Sequence, residues 1–424
     1  MKRLSMLLVL AVTTACSEQK AAVPAPPVAP PAPVYSESWF TDGAGASMLS
    51  IHQTQYGLAG RLMDTTGKFY PVRNLVMSDT AMSFIAPALE ATWTATKNPE
   101  GGWSGKWTEG GKTPEDVVLT PTGAPAAASA SDGVNPRFVK LADGRQVYVD
   151  CRGTGAPAVI FDSGAGGWSK DWAAVQPEIA KTTLACTYDR AGHGLSDPRP
   201  LPLDTAAVAD DLDMMLTAAA IPGPYILVGH SLGSYHVRQF ANTRFDKMAG
   251  LVLVDPSGDG QSARFQAVIP EMIAEMAKRD EEAKAAHCVE RLREKLVLRS
   301  DPLFKTCKGT NDADMFEQTQ SEIDSMPGAS TEELTQSHRS WGNMPLVVLT
   351  RGDYVKGMPP GFTNEDRKAM QSVWVAMHEE MTALSSAGQH RTVEGAGHII
   401  QGDKPQAVID AVNDIVAAAR AKQP

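Results

Sequence analysis

Gly229-His230-Ser231-Leu232-Gly233 sets one serine between two glycines, directly after the apolar run Tyr225-Ile226-Leu227-Val228. A serine hydroxyl becomes an effective nucleophile only when a base takes its proton. It must also stand clear of the backbone, so that base and substrate can both reach it. A sharp strand-to-helix turn achieves this and crowds the flanking positions, where Gly229 and Gly233 avoid a Cβ clash. The bare pattern recurs by chance. The apolar strand before it and the helix-compatible stretch after it are what point to nucleophilic catalysis.

The elements that would hold such a turn run from Arg137 onward. Arg137 to Leu141 and Gln146 to Cys151 read as strands joined at Asp143-Gly144, a hairpin signal. Ala158 to Phe161 is a short buried strand, Ser169 to Ala180 is helix-compatible, and Leu184 to Tyr188 is again a strand. Thr205 to Ala220 reads as a helix, Leu251 to Val254 and Leu346 to Leu349 as strands. Strands alternating with helices imply a mostly parallel sheet covered on both faces. Between Pro256 and Met344 the Glu/Lys/Ala/Met-rich stretch Ala263 to Val297 and the stretch Thr331 to Trp341 read as helices of a lid. The chain closes with a helix over Glu365 to Ala387, a strand His390 to Val393, and an amphipathic helix from Pro405 to about Arg420.

The first 134 residues are organised differently. Residues 1–16 carry Lys2 and Arg3, an apolar core from Leu4 to Val12, and Thr13-Thr14-Ala15-Cys16. This pattern predicts an export signal. The cysteine after a small residue resembles a bacterial lipoprotein processing site, with Cys16 as the lipidated N-terminus that would anchor the chain in the cell envelope, although Thr13 stands where an aliphatic residue is usual. Cleavage near Ala15 as an ordinary signal is the alternative. Residues 17–34, rich in Ala and Pro, read as an extended spacer. Residues 35–122 alternate short apolar or aromatic stretches with Gly, Asn and Asp turns and predict a small antiparallel β domain. Trp93, Trp103 and Trp107 would be a ligand platform or core, and strand spacing favours core. Residues 123–134 form a second linker before the α/β domain of residues 135–424.

From about Arg137 to the end the chain resembles the α/β-hydrolase fold. The motifs are Phe161-Asp162-Ser163-Gly164-Ala165-Gly166-Gly167, Tyr188-Asp189-Arg190-Ala191-Gly192-His193-Gly194-Leu195-Ser196, Gly229-His230-Ser231-Leu232-Gly233 and Gly397-His398, in that order. The resemblance implies a mostly parallel eight-stranded sheet with the lid at about 256–344. It makes Ser231 the nucleophile and His398 the base, on a Gly-rich loop after the last strand. His230 and His193 fall to packing and loop-ordering roles. The third member, which orients the imidazole and stabilises its charged form, is Asp255 or Asp353. Both keep the order Ser, Asp, His. Asp255 ends a strand directly and is the preferred reading. The oxyanion donors would be the backbone N–H groups of Leu232 and Ala165. Ser163 stands where the family usually has histidine, which leaves the backbone donor in place.

Composition bounds the rest. The chain has 424 residues, 43% hydrophobic and 21% charged, with a net charge of −10. That balance disfavours a nucleic-acid partner. No ligand cluster for a metal or nucleotide stands out, so no cofactor is expected. Beyond Cys16, four cysteines (Cys151, Cys186, Cys288, Cys307) allow three disulfide connectivities. Cys151 with Cys186 and Cys288 with Cys307 is the plausible set for an exported chain, and free buried thiols are the other reading. The expectation is an exported, periplasmic or membrane-anchored serine hydrolase acting on a small-molecule acyl substrate, an ester or related bond. Alternatives are amide, peptide, lactone or carbon–carbon hydrolysis, or a cell-envelope binding protein in which the β domain does the work. Epoxide hydrolysis and dehalogenation fit less well, because those relatives carry aspartate at the nucleophile position.

Overall fold

The structure, a computed structural model, describes residues 36–41, 46–54, 57–64, 69–86, 89–110, 112–121, 134–294, 302–307, 312–352 and 363–422. The signal segment with Cys16, the spacer and Asp353 lie outside the described residues.

The N-terminal domain is one antiparallel sheet. Its strands are β1 (Ser36–Thr41), β2 (Ala46–Thr54), β3 (Gly57–Asp64), β4 (Phe69–Pro71), β5 (Arg73–Met77), β6 (Ala81–Ala86), β7 (Ala91–Lys97), β8 (Trp103–Glu109) and β9 (Glu115–Pro121), in the order β4-β3-β2-β1-β9-β8-β7-β6-β5. Successive side chains of a strand point to opposite faces, and β7 shows it: Ala91, Trp93 and Ala95 are buried while the residues between them are exposed. The edge strands β4 and β5 follow each other through Val72, whose N–H donates to Gly60 O at 2.9 Å. The sheet therefore curls back on itself, which hides its edges. Trp93, Trp103 and Trp107 fill the interior with Trp39 and Phe84, as strand spacing suggests.

The second sheet carries the site. In chain order the elements are β10 (Val134–Lys140), β11 (Gln146–Arg152), β12 (Ala158–Asp162), α1 (Gln176–Ile179), β13 (Ala185–Tyr188), α2 (Thr205–Ala218), β14 (Tyr225–His230), α3 (Gly233–Thr243) and β15 (Met248–Val254). Then come α4 (Gln261–Val268), α5 (Pro270–Ala285), α6 (Cys288–Glu294), α7 (Pro302–Thr306), α8 (Ala313–Ser325), α9 (Ala329–Gln336), β16 (Leu346–Arg351), α10 (Asn364–Thr382), β17 (Gly388–Val393), α11 (Ile400–Asp403) and α12 (Pro405–Arg420). The sheet order is β10-β11-β13-β12-β14-β15-β16-β17, antiparallel over the first three strands and parallel from there on. The central strands are apolar throughout because helices cover both faces. Two clusters result, one around Leu212, Leu227 and Phe240, the other around Val159, Val228 and Val412.

The helices of the lid are more broken than their composition suggests. Among the described residues, the stretch Ala263 to Val297 is divided among three helices. Pro270 opens α5, because a proline lacks the N–H that would continue α4, and His287, at φ 48°, separates α5 from α6. Ser169 to Ala180 is a 3-10 turn (Ser169–Trp172) followed by the single-turn α1, and α9 stops at Gln336, short of Trp341. Helix α8 has no counterpart in the sequence reading. Cys151 and Cys186 face each other across β11 and β13 and are bonded, and Cys288–Cys307 ties α6 to α7.

Candidate active site

Ser231 sits between β14 and α3 with φ 50°. A non-glycine residue in this left-handed region costs about 1–3 kcal/mol and persists only where packing dictates it. The packing is tight. A Cβ on Gly233 would stand 2.6 Å from Ser163 O, so only glycine lets the elbow close onto the loop after β12. His398, after β17, accepts the Ser231 hydroxyl at Nε2 over 2.9 Å, and its Nδ1–H donates to Asp255 Oδ2 at 2.6 Å. These partners assign the tautomer.

Asp255 ends β15, fully buried, with φ 43°. Parallel pairing of β15 with β16 brings the two strand ends together, so that Arg351 N donates to Asp255 Oδ1 at 3.0 Å. Trp374 Nε1 of α10 donates to the same oxygen at 2.9 Å, and the Arg351 guanidinium stands 3.1 Å from Oδ2. Burial alone would raise the carboxyl pKa. The His398 hydrogen bond and the Arg351 charge outweigh it and hold Asp255 down at about 2, ionised at any working pH. Asp255 is thus joined to His398, and Asp353 lies outside the described residues.

The loop carrying Ala165 flanks the nucleophile. A Cβ on Gly164 would lie 3.2 Å from Ser231 Cβ and 2.9 Å from His230 Nδ1. Ser163 Oγ donates to Trp168 O at 2.9 Å and accepts from Trp172 Nε1 at 3.0 Å, so the serine at the family's histidine position ties the loop together. Leu232 N–H lies at the start of α3, where backbone donors lack intrahelical partners. Helix start and loop thus flank Ser231, the placement an oxyanion hole requires. His230 Nε2 pairs with His398 O at 2.9 Å and so supports the base from behind, while His193 bonds Ala191 O and Thr319 Oγ1, ordering its loop against α8.

A model of the alpha/beta hydrolase family matches residues 155–411, more than half of the chain. The chain belongs to the α/β-hydrolase family. Among relatives of this hydrolase, YqjL of Bacillus subtilis is 26% identical over 269 residues, which is 63% of this chain and 87% of that protein. Other curated relatives are spanned over only 15–38% of their length. The solved structure of DBJA (mutant dbja delta) has a TM-score of 0.51 at 17% identity, covering 68% of this chain and 99% of that one, and shows the fold alone. A thermophilic esterase from Thermogutta terrifontis gives a TM-score of 0.43 at 19% identity, over 67% and 99% of the two chains.

Three side chains of the hydrolase site were not singled out from sequence: Arg351 and Trp374 on the acid, and Arg190 on the Ala165 loop. Arg190 lies inside the Tyr188–Ser196 motif. Arg351 stands two residues before Asp353. Trp374 had no signal beyond its place in a helical pattern. Behind the acid, His378 Nε2 bonds Pro256 O at 2.9 Å, and Thr350 Oγ1 bridges His378 Nδ1 and His390 Nε2.

Buried histidines make the hydrolase acid-sensitive. Burial holds His193 at about 4, His230 at about 3 and His378 at about 4. All three lie below the value of about 6.5 expected in the unfolded chain. As pH falls from about 6.5, the unfolded chain takes up three protons that the folded one refuses. Burial pushes Asp189 the other way, up to about 6, so the folded state gains one proton of its own below that pH. The net uptake on unfolding is about two protons between pH 6 and 4, and stability falls by roughly 3 kcal/mol per pH unit there. Denaturation midpoints measured from pH 7 to 4.5 should drop steadily, and a flat profile would refute this account.

Proposed function

We propose that the protein is an exported serine hydrolase that cleaves a carboxylic ester or a related acyl bond through an acyl-enzyme on Ser231. The observation carrying the reading is the unbroken Ser231–His398–Asp255 hydrogen-bonded series beside the Gly164–Ala165 loop. Ser231 Oγ attacks the acyl carbon and its proton passes to His398 Nε2. The negative charge that develops on the carbonyl oxygen is met by the N–H groups of Leu232 and Ala165. Collapse breaks the acyl–oxygen bond, and His398 returns the proton to the leaving alcohol. Water, activated by the same imidazole, then releases the acid. Asp255 stays ionised and balances the imidazolium.

Export is supported by the two disulfides, since such bonds persist in oxidising compartments. Lipidation at Cys16 would then hold the enzyme at the cell envelope. One experiment covers both parts. Bacteria expressing the full chain are given p-nitrophenyl esters of graded acyl length, and acid-quenched protein is weighed by mass spectrometry. Turnover by intact cells, an adduct of one acyl mass on Ser231, and release of activity from the membrane fraction by Cys16→Ser are expected. Turnover of amides alone would overturn the ester reading, and activity confined to the cytosol would overturn export.

A further inference from the structure

None of the described side chains of the N-terminal sheet joins the Ser231 series, yet four of that sheet's buried polar side chains, Ser38, Ser50, His52 and Arg61, bond to the hydrolase domain. Arg61 on β3 is 2% exposed and His52 on β2 is fully buried. Arg61 donates to Gly192 O at 3.0 Å and to Gly194 O and Ser196 O at 3.2 Å, and it pairs with Asp312 at 2.7 Å. His52 Nε2 pairs with Asp314 Oδ2 at 2.8 Å. Asp312 is the N-cap of α8, accepting from Met315 N at 3.0 Å, and Asp314 lies in its first turn. The sheet therefore grips both the loop after β13 and the start of α8.

Two turns further along, Glu322 of α8 accepts from Arg190 Nε at 2.8 Å and from Nη2 at 3.0 Å. The remaining N–H groups of Arg190 go to Asp162 Oδ1 at 2.8 Å, Ser163 O at 2.6 Å and Gly164 O at 2.8 Å. Gly164 C=O and Ala165 N–H are the two ends of one planar trans peptide group and point in opposite directions. A donor that fixes Gly164 O therefore fixes the direction of the Ala165 N–H. The guanidinium is suited to this because its donors are held in a rigid plane.

We propose that Arg190 is a positioning residue for the oxyanion loop, and that the N-terminal sheet, through Arg61, His52 and α8, holds it in place. The β domain is then a brace for the catalytic site. This rests on the acyl-transfer reading above, in which Ala165 N–H meets the developing charge. The brace acts on transition-state stabilisation and leaves ground-state binding of substrate alone, because Ala165 N–H matters most where charge develops.

The test uses the full chain with Glu322→Gln, Arg61→Lys, Arg61→Met and, as control, Lys106→Ala on the exposed face of the same sheet. Two readouts are taken: steady-state kinetics on the best ester, and hydrogen exchange of peptides covering residues 163–168. We expect kcat to fall about ten- to hundredfold in Glu322→Gln and Arg61→Met with KM within about twofold. Exchange at 163–168 should speed up in both, Arg61→Lys should recover part of each effect, and Lys106→Ala should change neither. Unchanged exchange and kcat in Glu322→Gln overturn the role of Arg190. Changes in Glu322→Gln but not in Arg61→Met overturn the role of the sheet. Because Arg61→Met removes a buried cation from Asp312 and Asp314, a variant that does not fold is replaced by Arg61→Lys, judged by the same two readouts. Exchange needs no turnover, so it decides on the brace even if the ester panel refutes the chemistry.

Discussion

Ser231→Ala should lower turnover by a factor on the order of 10⁴ to 10⁶ and abolish labelling by a fluorophosphonate probe. The size follows from the geometry. His398 Nε2 has Ser231 Oγ as its partner at 2.9 Å, and without that oxygen it has no proton to remove and no nucleophile to release. What survives is whatever the oxyanion donors and substrate positioning supply to attack by water. Alanine accepts φ 50° no worse than serine, so the variant should fold with an unchanged melting temperature. Mass spectrometry of probe-treated protein checks the result, and labelling that persists in Ser231→Ala would remove Ser231 from the mechanism.

Asp255→Asn should lower kcat by about 10⁴ and also destabilise the fold. A carboxamide can still accept from Trp374 and Arg351, but where Oδ2 faces His398 it offers an N–H. The imidazole must then present Nδ1 as acceptor and carry its proton on Nε2, which cannot take the proton of Ser231. The Arg351 guanidinium meanwhile loses its buried counter-charge, and removing one partner of a buried pair costs about 3–5 kcal/mol. Kinetics with a thermal melt measures both parts. Activity within tenfold of wild type would show that another carboxylate orients His398.

Much of this site is legible along the chain, because its parts sit at strand ends marked by glycine. Ser231 and the Gly164–Gly167 loop follow short apolar runs, His398 follows a strand on a Gly-rich loop, and each fits a local geometric demand. The choice between Asp255 and Asp353 is not local. It depends on the β15–β16 register, which puts Arg351 N against Asp255, and no residue near either aspartate encodes that alignment. Arg190 stands in a readable motif, but its partner Glu322 lies 132 positions away. The helix that carries Glu322 escapes a periodicity search for a physical reason. Its buried stripe includes Asp314, Gln318 and Glu322, spaced four apart, so the face turned inward is largely polar and the apolar pattern that reveals most helices is missing. The long Glu/Lys-rich stretch, by contrast, reads as one helix by composition and is divided by Pro270 and by the backbone at His287.

The polar stripe of α8 also decides how firmly α8 is seated. A cover packed by oil-like contacts can slide, because each contact is replaced gradually. Lifting α8 would separate the buried Arg190–Glu322 pair and the His52–Asp314 contact at the same moment. Such a segment behaves as a doorframe. Helix α6 is tied to the same frame, since Arg293 pairs with Asp314 and Glu317 of α8 and Phe316 packs with Cys288 and Leu292.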